Sequence, residues 1–443
     1  MLIRYSIENF LSFKNRAELS LIPSKVRSLK HHKILGKNKY DIDVLKTAVL
    51  YGANASGKSN LIKSIYFAKK MIIEGIKPDH NILVTPFKLH KESLDKPSRF
   101  EFEFKKNNKN YAYGFILNNE FVLEEWLYQV DKRTEKKIFE RKKINNFDFS
   151  GLRLDREEKQ FLEFIGKGTR DNQLFLTECK DRNLEKNVKS SIEIIDTITW
   201  FQKDLYVIFP DSKYGGIYIE LNKNENFKNT LNKYLKHMDT GIEGIVLNEI
   251  DFKKIVDIPD EIKNDIISKI KSDTKFLITN ASNDKTYSIE LDGNGNIKAY
   301  KLQTKHKMAS STNYSYFELN EESDGTQRLI DLIPAIIDLI KNNKVVLIDE
   351  LNRSLHPLLS NHILDLFFEE SDGIKSQLIV TTHESSLLNL KKIRKDEIWF
   401  IEKNKLGESS LFSLEEFQPR FDKEIMRNYL LGRFGGVPNL KKL

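Results

Sequence analysis

The sequence predicts an α/β protein with a mostly parallel core sheet, an antiparallel β subdomain and a helical and mixed α/β insertion. Three observations predict it. The apolar run Thr47-Ala48-Val49-Leu50-Tyr51 feeds a turn at residues 52–59, reading GANASGKS, and then the helical pattern Asn60-Leu61-Ile62-Lys63-Ser64-Ile65. Two later apolar runs, Val345–Ile348 and Gln377–Thr381, each end at polar residues, as strands do at the C-terminal edge of a buried parallel sheet. Residues 97–128 alternate aromatic and polar side chains with period two, as antiparallel strands with one buried face do.

A chain of 443 residues exceeds the ~250–300 at which a single core stops growing, so more than one lobe is expected. The expected division is a first lobe over 1–150, an insertion over 151–300 and a second lobe over 301–443. The single cysteine, Cys179, excludes an internal disulfide, a Cys-x-x-Cys redox pair and a Cys-type zinc site. With no activating partner in view, it reads as a core or surface thiol. Met1-Leu2-Ile3-Arg4-Tyr5 is no signal-peptide core, and no apolar run reaches the ~18–20 residues that span a bilayer. A soluble, cytoplasmic chain without membrane contact is expected. The net charge of +8 permits nucleic acid as a partner. The densest basic stretch, residues 25–39, carries Lys25, Arg27, Lys30, Lys33, Lys37 and Lys39 with His31 and His32. It is either a phosphate-contacting segment or a solvated loop.

In chain order, Ile3, Tyr5 and Ile7 share one face of an opening strand, followed by Phe10 and Phe13. In the 52–59 turn, Gly52 and Gly57 let the backbone bend tightly and approach a polyphosphate, with Asn54, Ala55, Ser56 and Asn60 completing the cradle. Lys58 would reach the β- and γ-phosphates, and the Ser59 hydroxyl would ligate Mg²⁺. Phe100, Phe102 and Phe104, then a turn over Asn107-Asn108-Lys109-Asn110, then Tyr111, Tyr113, Phe115 and Leu117 describe a meander. Their strict period of two marks these aromatics as core, against a base-stacking alternative. Residues 155–235 read as mostly helical, for example 157–165 and 184–201, and mixed character follows to 300. The sustained heptads of a coiled coil are missing.

Chemistry returns late in the chain. Asp349 and Glu350 follow the Val345–Ile348 run directly. Asp349 would hold Mg²⁺ through the metal's water shell, and Glu350 would polarise an attacking water as general base. Upstream, Glu322-Ser323-Asp324-Gly325-Thr326-Gln327-Arg328-Leu329 leads into a helix over 330–340. Ser323, Gly325 and the helix N-terminus form a second anion-binding cap or, more blandly, a Ser-capped helix. The Gln377–Thr381 strand delivers His383 at its end.

Asn352-Arg353-Ser354-Leu355-His356-Pro357 resembles the D-loop of ABC-type ATPases, and residues 322–329 resemble their signature motif. His383 looks like their switch histidine. With Asp349-Glu350 as a Walker B pattern, the chain resembles ABC-type P-loop ATPases of the SMC, Rad50 and RecF kind, which open with a segment similar to Glu8-Asn9-Phe10-Leu11-Ser12-Phe13. Closer still is the resemblance to the AAA-type ATPases of the RloA/AbiLi group, found beside restriction and abortive-infection genes. It covers nearly the whole chain and includes residues 51–60, 86–89, 239–242, 322–329, 349–357, 381–388, 396–400 and 429–438. Trp399-Phe400 and residues 432–438 are specific to that group.

The resemblance implies ATP and Mg²⁺ as cofactors, with Glu350 and His383 as catalytic residues. It implies an ATP-sandwich homodimer or higher oligomer in which each loop faces the other copy's Ser323 and Gly325. It further implies a sensor role in phage defence, controlling a separate effector such as a Toprim-like nuclease or a toxin. The alternative is a RecF/Rad50-like DNA-repair or DNA-clamping ATPase; long coiled coils and a Cys-x-x-Cys hook are missing. A nuclease in cis, as in OLD enzymes, is disfavoured, because the roughly 60 residues after His383 fall short of a ~100-residue domain. Asn404-Lys405-Leu406-Gly407 lacks the carboxylate of a guanine-reading N-K-x-D. Two departures stand out. No glutamine precedes Gln129, so Asn81 or a nearby backbone group is the expected stand-in for the Q-loop glutamine. Leu11 replaces an arginine of many relatives, with Lys14 as the candidate substitute.

Overall fold

The computed structural model describes residues 1–214, 217–271, 275–279, 285–292, 294–371, 373–417 and 425–437. Contacts divide the chain into two compact units. The first comprises Met1–Pro210, Leu339–Asn352 and Ser360–Leu443, and the second Asp211–Asp338 and Arg353–Leu359. Residues 151–210 therefore pack with the first unit, whereas the sequence placed them in the insertion. Among the described residues no helix is long and apolar enough to cross a membrane.

Two sheets build the first unit. The opening strand Leu2–Glu8 joins an antiparallel sheet ordered Asn146–Asp148, Glu135–Lys142, Val122–Val130, Lys109–Leu117, Ser98–Lys106, Leu2–Glu8 and Ala17–Ser20. The first hairpin turns on two residues, Asn107 and Asn108, both with left-handed φ, so Lys109 and Asn110 already lie in the strand. Asparagine tolerates that conformation, which matches the twist of a two-residue hairpin. Phe100, Phe102, Phe104, Tyr111, Tyr113 and Phe115 are all fully buried, so the aromatics form core and not a stacking surface.

Their cover comes from a helical stretch that the sequence read as continuous over 184–201. It is broken into Leu184–Asn187 and Ile192–Thr199. At the break the Ser190 N–H is taken by the Glu158 carboxylate at 3.0 Å and not by a helical carbonyl. A π turn, Trp200–Asp204, then points two adjacent aromatics inward: Trp200 stacks on Phe104 at 4.4 Å and Phe201 meets Phe102 edge-on at 5.0 Å. Burial of each such ring contributes ~1.5–3 kcal/mol. Cys179 is buried in the same core, where burial raises its thiol pKa well above the usual value.

The second sheet holds the chemistry-bearing strands. Its order is Leu205–Ile208, Val345–Ile348, Gln377–Thr381, Thr47–Tyr51, Ile398–Lys403 and Ser409–Ser413. Every pairing is parallel except the last. Helix Lys58–Ile73 buries Leu61, Ile62, Ile65, Ala68, Met71 and Ile72, the i, i+3, i+4 spacing of an amphipathic helix.

The second unit is built on an antiparallel sheet, Ile242–Ile250, Ile297–Lys307, Thr286–Leu291 and Lys275–Thr279, with Tyr314–Glu318 also pairing Ile297–Lys307. Phe252, Ile258, Ile266, Tyr287, Ile289 and Ala299 form one of its apolar clusters.

Candidate functional site

Strands Val345–Ile348, Gln377–Thr381 and Thr47–Tyr51 are adjacent and parallel, with Ile348 opposite Val380 and Thr381 opposite Leu50. Their C-terminal ends therefore open on one edge, where ligands of such sheets bind. Residues 52–57, Asp349-Glu350 and His383 all emerge there.

The loop is held in a conformation that glycine alone tolerates. Gly57 has φ +121°, and a Cβ on it would fall 2.4 Å from Ser409 Oγ and 2.9 Å from Ser12 Oγ. A Cβ on Gly52 would fall 2.4 Å from the Ile401 carbonyl oxygen. Ser409 Oγ donates to the Ser56 carbonyl at 2.6 Å and lies 2.8 Å from Ser12 Oγ, to which Asn60 Nδ2 also donates at 2.8 Å. The brace thus joins the opening segment and the last strand of the sheet. Asn60 serves this brace with its amide. Asn54 and Ala55 are exposed at the rim, and Ser59 is half-buried in the first turn of the helix.

Lys58 is only 4% exposed. Its ammonium donates to the carbonyls of Gly52 at 2.7 Å and Ala53 at 3.0 Å, and lies 3.4 Å from His383 Nδ1. Burial lowers its pKa to about 8, against the upward pull of Glu350 and Asp349. Burial, and then the Lys58 charge, hold His383 below the usual histidine value.

Asp349 is 2% exposed and accepts from Thr381 Oγ1 at 2.6 Å; the same hydroxyl accepts from the Glu350 N–H at 2.8 Å. Glu350 has φ +52°, an uncommon conformation for a non-glycine residue and one that gathers at functional sites. Asn352 Oδ1 accepts from Thr382 Oγ1 at 2.9 Å and from the His383 N–H at 3.2 Å. Thr381 and Asn352 were not singled out from sequence, nor were Ser12 and Ser409 as the brace.

These residues fit a polyphosphate with its Mg²⁺. Ile401, Ser12 and Ser409 press on Gly52 and Gly57 and fix the loop, and buried Ser56 Oγ has no hydrogen-bond partner among the described residues. Lys58 would supply the cation for the polyphosphate, and Ser59 and Asp349 the oxygens for the metal.

Behind the loop, the late segment packs on it. A Cβ on Gly436 would meet Gly52 Cα at 3.4 Å, Tyr429 donates to the Gly436 carbonyl at 3.2 Å, and Phe400 stacks on Tyr429 and Phe434. Pro438, the end of that motif, lies outside the described residues.

Several expectations are corrected. Asn81 is exposed and groups with Lys70, Met71 and Glu74 near the C-terminal end of helix Lys58–Ile73. At 1.5 Å per residue that is about 18 Å along the helix from Lys58, so Asn81 is no Q-loop substitute. Lys14 is ion-paired with Glu408 at 2.7 Å and does not reach for phosphate. In the basic stretch Lys25, Arg27, Lys30, Lys37 and Lys39 are exposed, as the solvated-loop reading expects, while the backbone is tied down elsewhere. Ser24 binds Asp396, Arg394 donates to the Val26 and Ser28 carbonyls, and buried His32 bonds Glu397 at 2.8 Å while stacking on Phe368. Asn404–Gly407 is the turn of a hairpin, closed by Gly407 N–H to the Asn404 carbonyl at 3.0 Å.

Ser323 and Gly325 belong to the second unit. Ser323 Oγ accepts from the Thr326 N–H at 3.2 Å and so caps helix Asp324–Lys341. A Cβ on Gly325 would fall 2.7 Å from the Ser354 carbonyl oxygen, so signature and D-loop backbones touch within that unit. Arg353 pairs with Asp211 at 3.0 Å.

The family model described as "AAA domain, putative AbiEii toxin, Type IV TA system" matches residues 48–177 and 212–389. No curated protein matches the chain. Among solved structures, the chain is similar over 93% of its length to 98% of the SMC head domain from Thermotoga maritima, at 11% identity and a TM-score of 0.38. It is similar over 94% to 99% of an SMC head bound to the C-terminal winged-helix domain of ScpA, at 12% identity and a TM-score of 0.43. An SMC head with an extended coiled coil, bound to the C-terminal domain of ScpA and derived from Pyrococcus furiosus, is covered to 99% by 94% of the chain, at 13% identity and a TM-score of 0.38.

Proposed function

Because this chain belongs to the family of AAA domains described as putative AbiEii toxin of type IV toxin–antitoxin systems, we propose that it is an ABC-type, Mg²⁺-dependent ATPase of the RloA/AbiLi group. It dimerises around ATP and regulates a separate effector in an abortive-infection defence against phage. The observation that carries the reading is the chain Asp349–Thr381–Glu350 on the sheet edge that also delivers Lys58 and His383.

Lys58 leaves the Gly52 and Ala53 carbonyls and pairs with the β- and γ-phosphates, while the backbone N–H groups of residues 54–59 cradle them. Mg²⁺, held by Ser59 and by Asp349 through water, would screen the phosphate charge. Glu350 takes the proton of the attacking water, its backbone anchored by Thr381 Oγ1. His383 presents its imidazole toward the reacting phosphate. Ser323, Gly325 and the start of helix Asp324–Lys341 meet the γ-phosphate held by a second copy, so hydrolysis opens the dimer and changes the hold on the effector.

Glu350→Gln tests the chemistry. It should retain ATP binding and lose turnover by about 10²–10⁴-fold, the share usual for a general base. Unchanged phosphate release would remove Glu350 from that role.

A further inference from the structure

The antiparallel sheet of the second unit carries a face of distinct chemistry. Strand Ile297–Lys307 contributes Lys301, Gln303, Lys305 and Lys307, and strand Tyr314–Glu318 sets Tyr316 opposite Lys305 and Tyr314 opposite Lys307. Paired residues of an antiparallel ladder share a face, so these side chains stand together. Leu302 and Thr304, on the reverse face, are buried. Tyr314 and Tyr316 are 40% and 48% exposed, and Lys307 is exposed beside them.

The arrangement is ordered. Lys305 Nζ sits 3.6 Å from the centroid of the Tyr314 ring, Lys301 is ion-paired with Glu318, and Gln303 Nε2 donates to Glu318 at 2.9 Å. A sheet edge protected only against self-association needs charges and no rings. Exposed tyrosines interleaved with lysines combine π-faces for bases with ammonium groups for phosphates.

We propose that this face binds single-stranded nucleic acid, with bases stacked on Tyr314 and Tyr316 and backbone phosphates on Lys305 and Lys307. Tyr314 and Tyr316 are about 6.8 Å apart along the strand, a separation suited to splayed, unstacked bases. The same strand also grips the signature segment. Thr304 Oγ1 and His306 Nε2 both bond Glu322 Oε1, the latter at 2.7 Å, and Gln327 Nε2 donates to the Glu322 carbonyl at 2.9 Å. The strand thus carries the proposed binding face on one side and, on the other, the contacts to Glu322 beside Ser323, a route by which occupancy would reach that segment. That coupling rests on the ATPase reading, whereas the binding does not.

The test is fluorescence anisotropy of the full chain, without nucleotide, on a labelled oligothymidylate, its duplex, and with polyglutamate as competitor. Single strand should bind more tightly than duplex. Tyr314→Ala and Tyr316→Ala should each weaken binding about tenfold, the scale of one lost stacking contact. Tyr→Phe at both positions should retain affinity, and Lys305→Glu with Lys307→Glu should flatten the salt dependence. No binding, or binding that the double Tyr→Ala variant leaves unchanged, overturns the proposal. Displacement by polyglutamate as effective as by unlabelled oligothymidylate also overturns it, in favour of an acidic protein partner. ATP affinity of the same variants should be unaltered, so failure here leaves the ATPase reading standing.

Discussion

Lys58 ties the pH dependence of this site to its geometry. Burial brings its pKa to about 8, and the charged form is the one a triphosphate prefers. Affinity for ATP should therefore be full below that pH and decline as pH rises through it, by up to about tenfold per unit. The decline should end at the ordinary lysine range. Calorimetric titration at constant ionic strength reads this directly, and an affinity flat across pH 8 would contradict it. At this scale the sequence was informative about placement: the 52–59 glycines, Lys58, Asp349, Glu350 and His383, picked out by residue type, all come out at one sheet edge. It was silent about Thr381 and Asn352. Their roles depend on the register that sets Ile348 against Val380, which no local pattern encodes. The Ser12–Ser409 brace was equally hidden, its partners lying at opposite ends of the chain.

Among the elements, the meander was legible because period-two alternation and a two-asparagine turn are local signals. The edge strand Leu205–Ile208 was not, being four residues long and placed by the preceding π turn. The anchors of the basic stretch, Arg394, Asp396 and Glu397, were hidden because they are distant in sequence. A buried charge cluster ties the meander to its helical cover. Glu125 accepts from the N–H groups of Phe175 at 2.6 Å and Leu176 at 3.0 Å and from Tyr113 at 2.9 Å, with the buried Arg141 guanidinium at 3.9 Å. Glu125→Ala removes the carboxylate beside Arg141, whose guanidinium keeps its bonds to the Ile144, Gln173 and Arg170 carbonyls, and leaves the start of helix Phe175–Asp181 without its acceptor, so it should cost about 3 kcal/mol. Chemical denaturation measures this, and a loss below about 1 kcal/mol would show the pair to be dispensable. Gly57→Ala should act differently. It strains a φ of +121° and collides with Ser409, so ATP binding should fall at least as far as in Lys58→Ala while the meander stays folded. Retained affinity in equilibrium binding would show that the loop bends without glycine.

For the whole molecule, the proposed composite site would draw Lys58, Asp349, Glu350 and His383 from the first unit of one copy and Ser323 and Gly325 from the second unit of another. A Cβ on Gly325 would fall 2.7 Å from the Ser354 carbonyl oxygen, so an aspartate there disturbs the Ser323–Gly325 segment of the second unit and changes no residue of the 52–59 loop. The most direct measurement is the light-scattering mass of the Glu350→Gln protein with and without Mg²⁺ and ATP. The prediction is that ATP raises the mass from that of the 51.8 kDa chain to twice that value or a higher multiple, and that adding Gly325→Asp abolishes the increase. A mass that does not change while ATP is demonstrably bound would contradict the composite site.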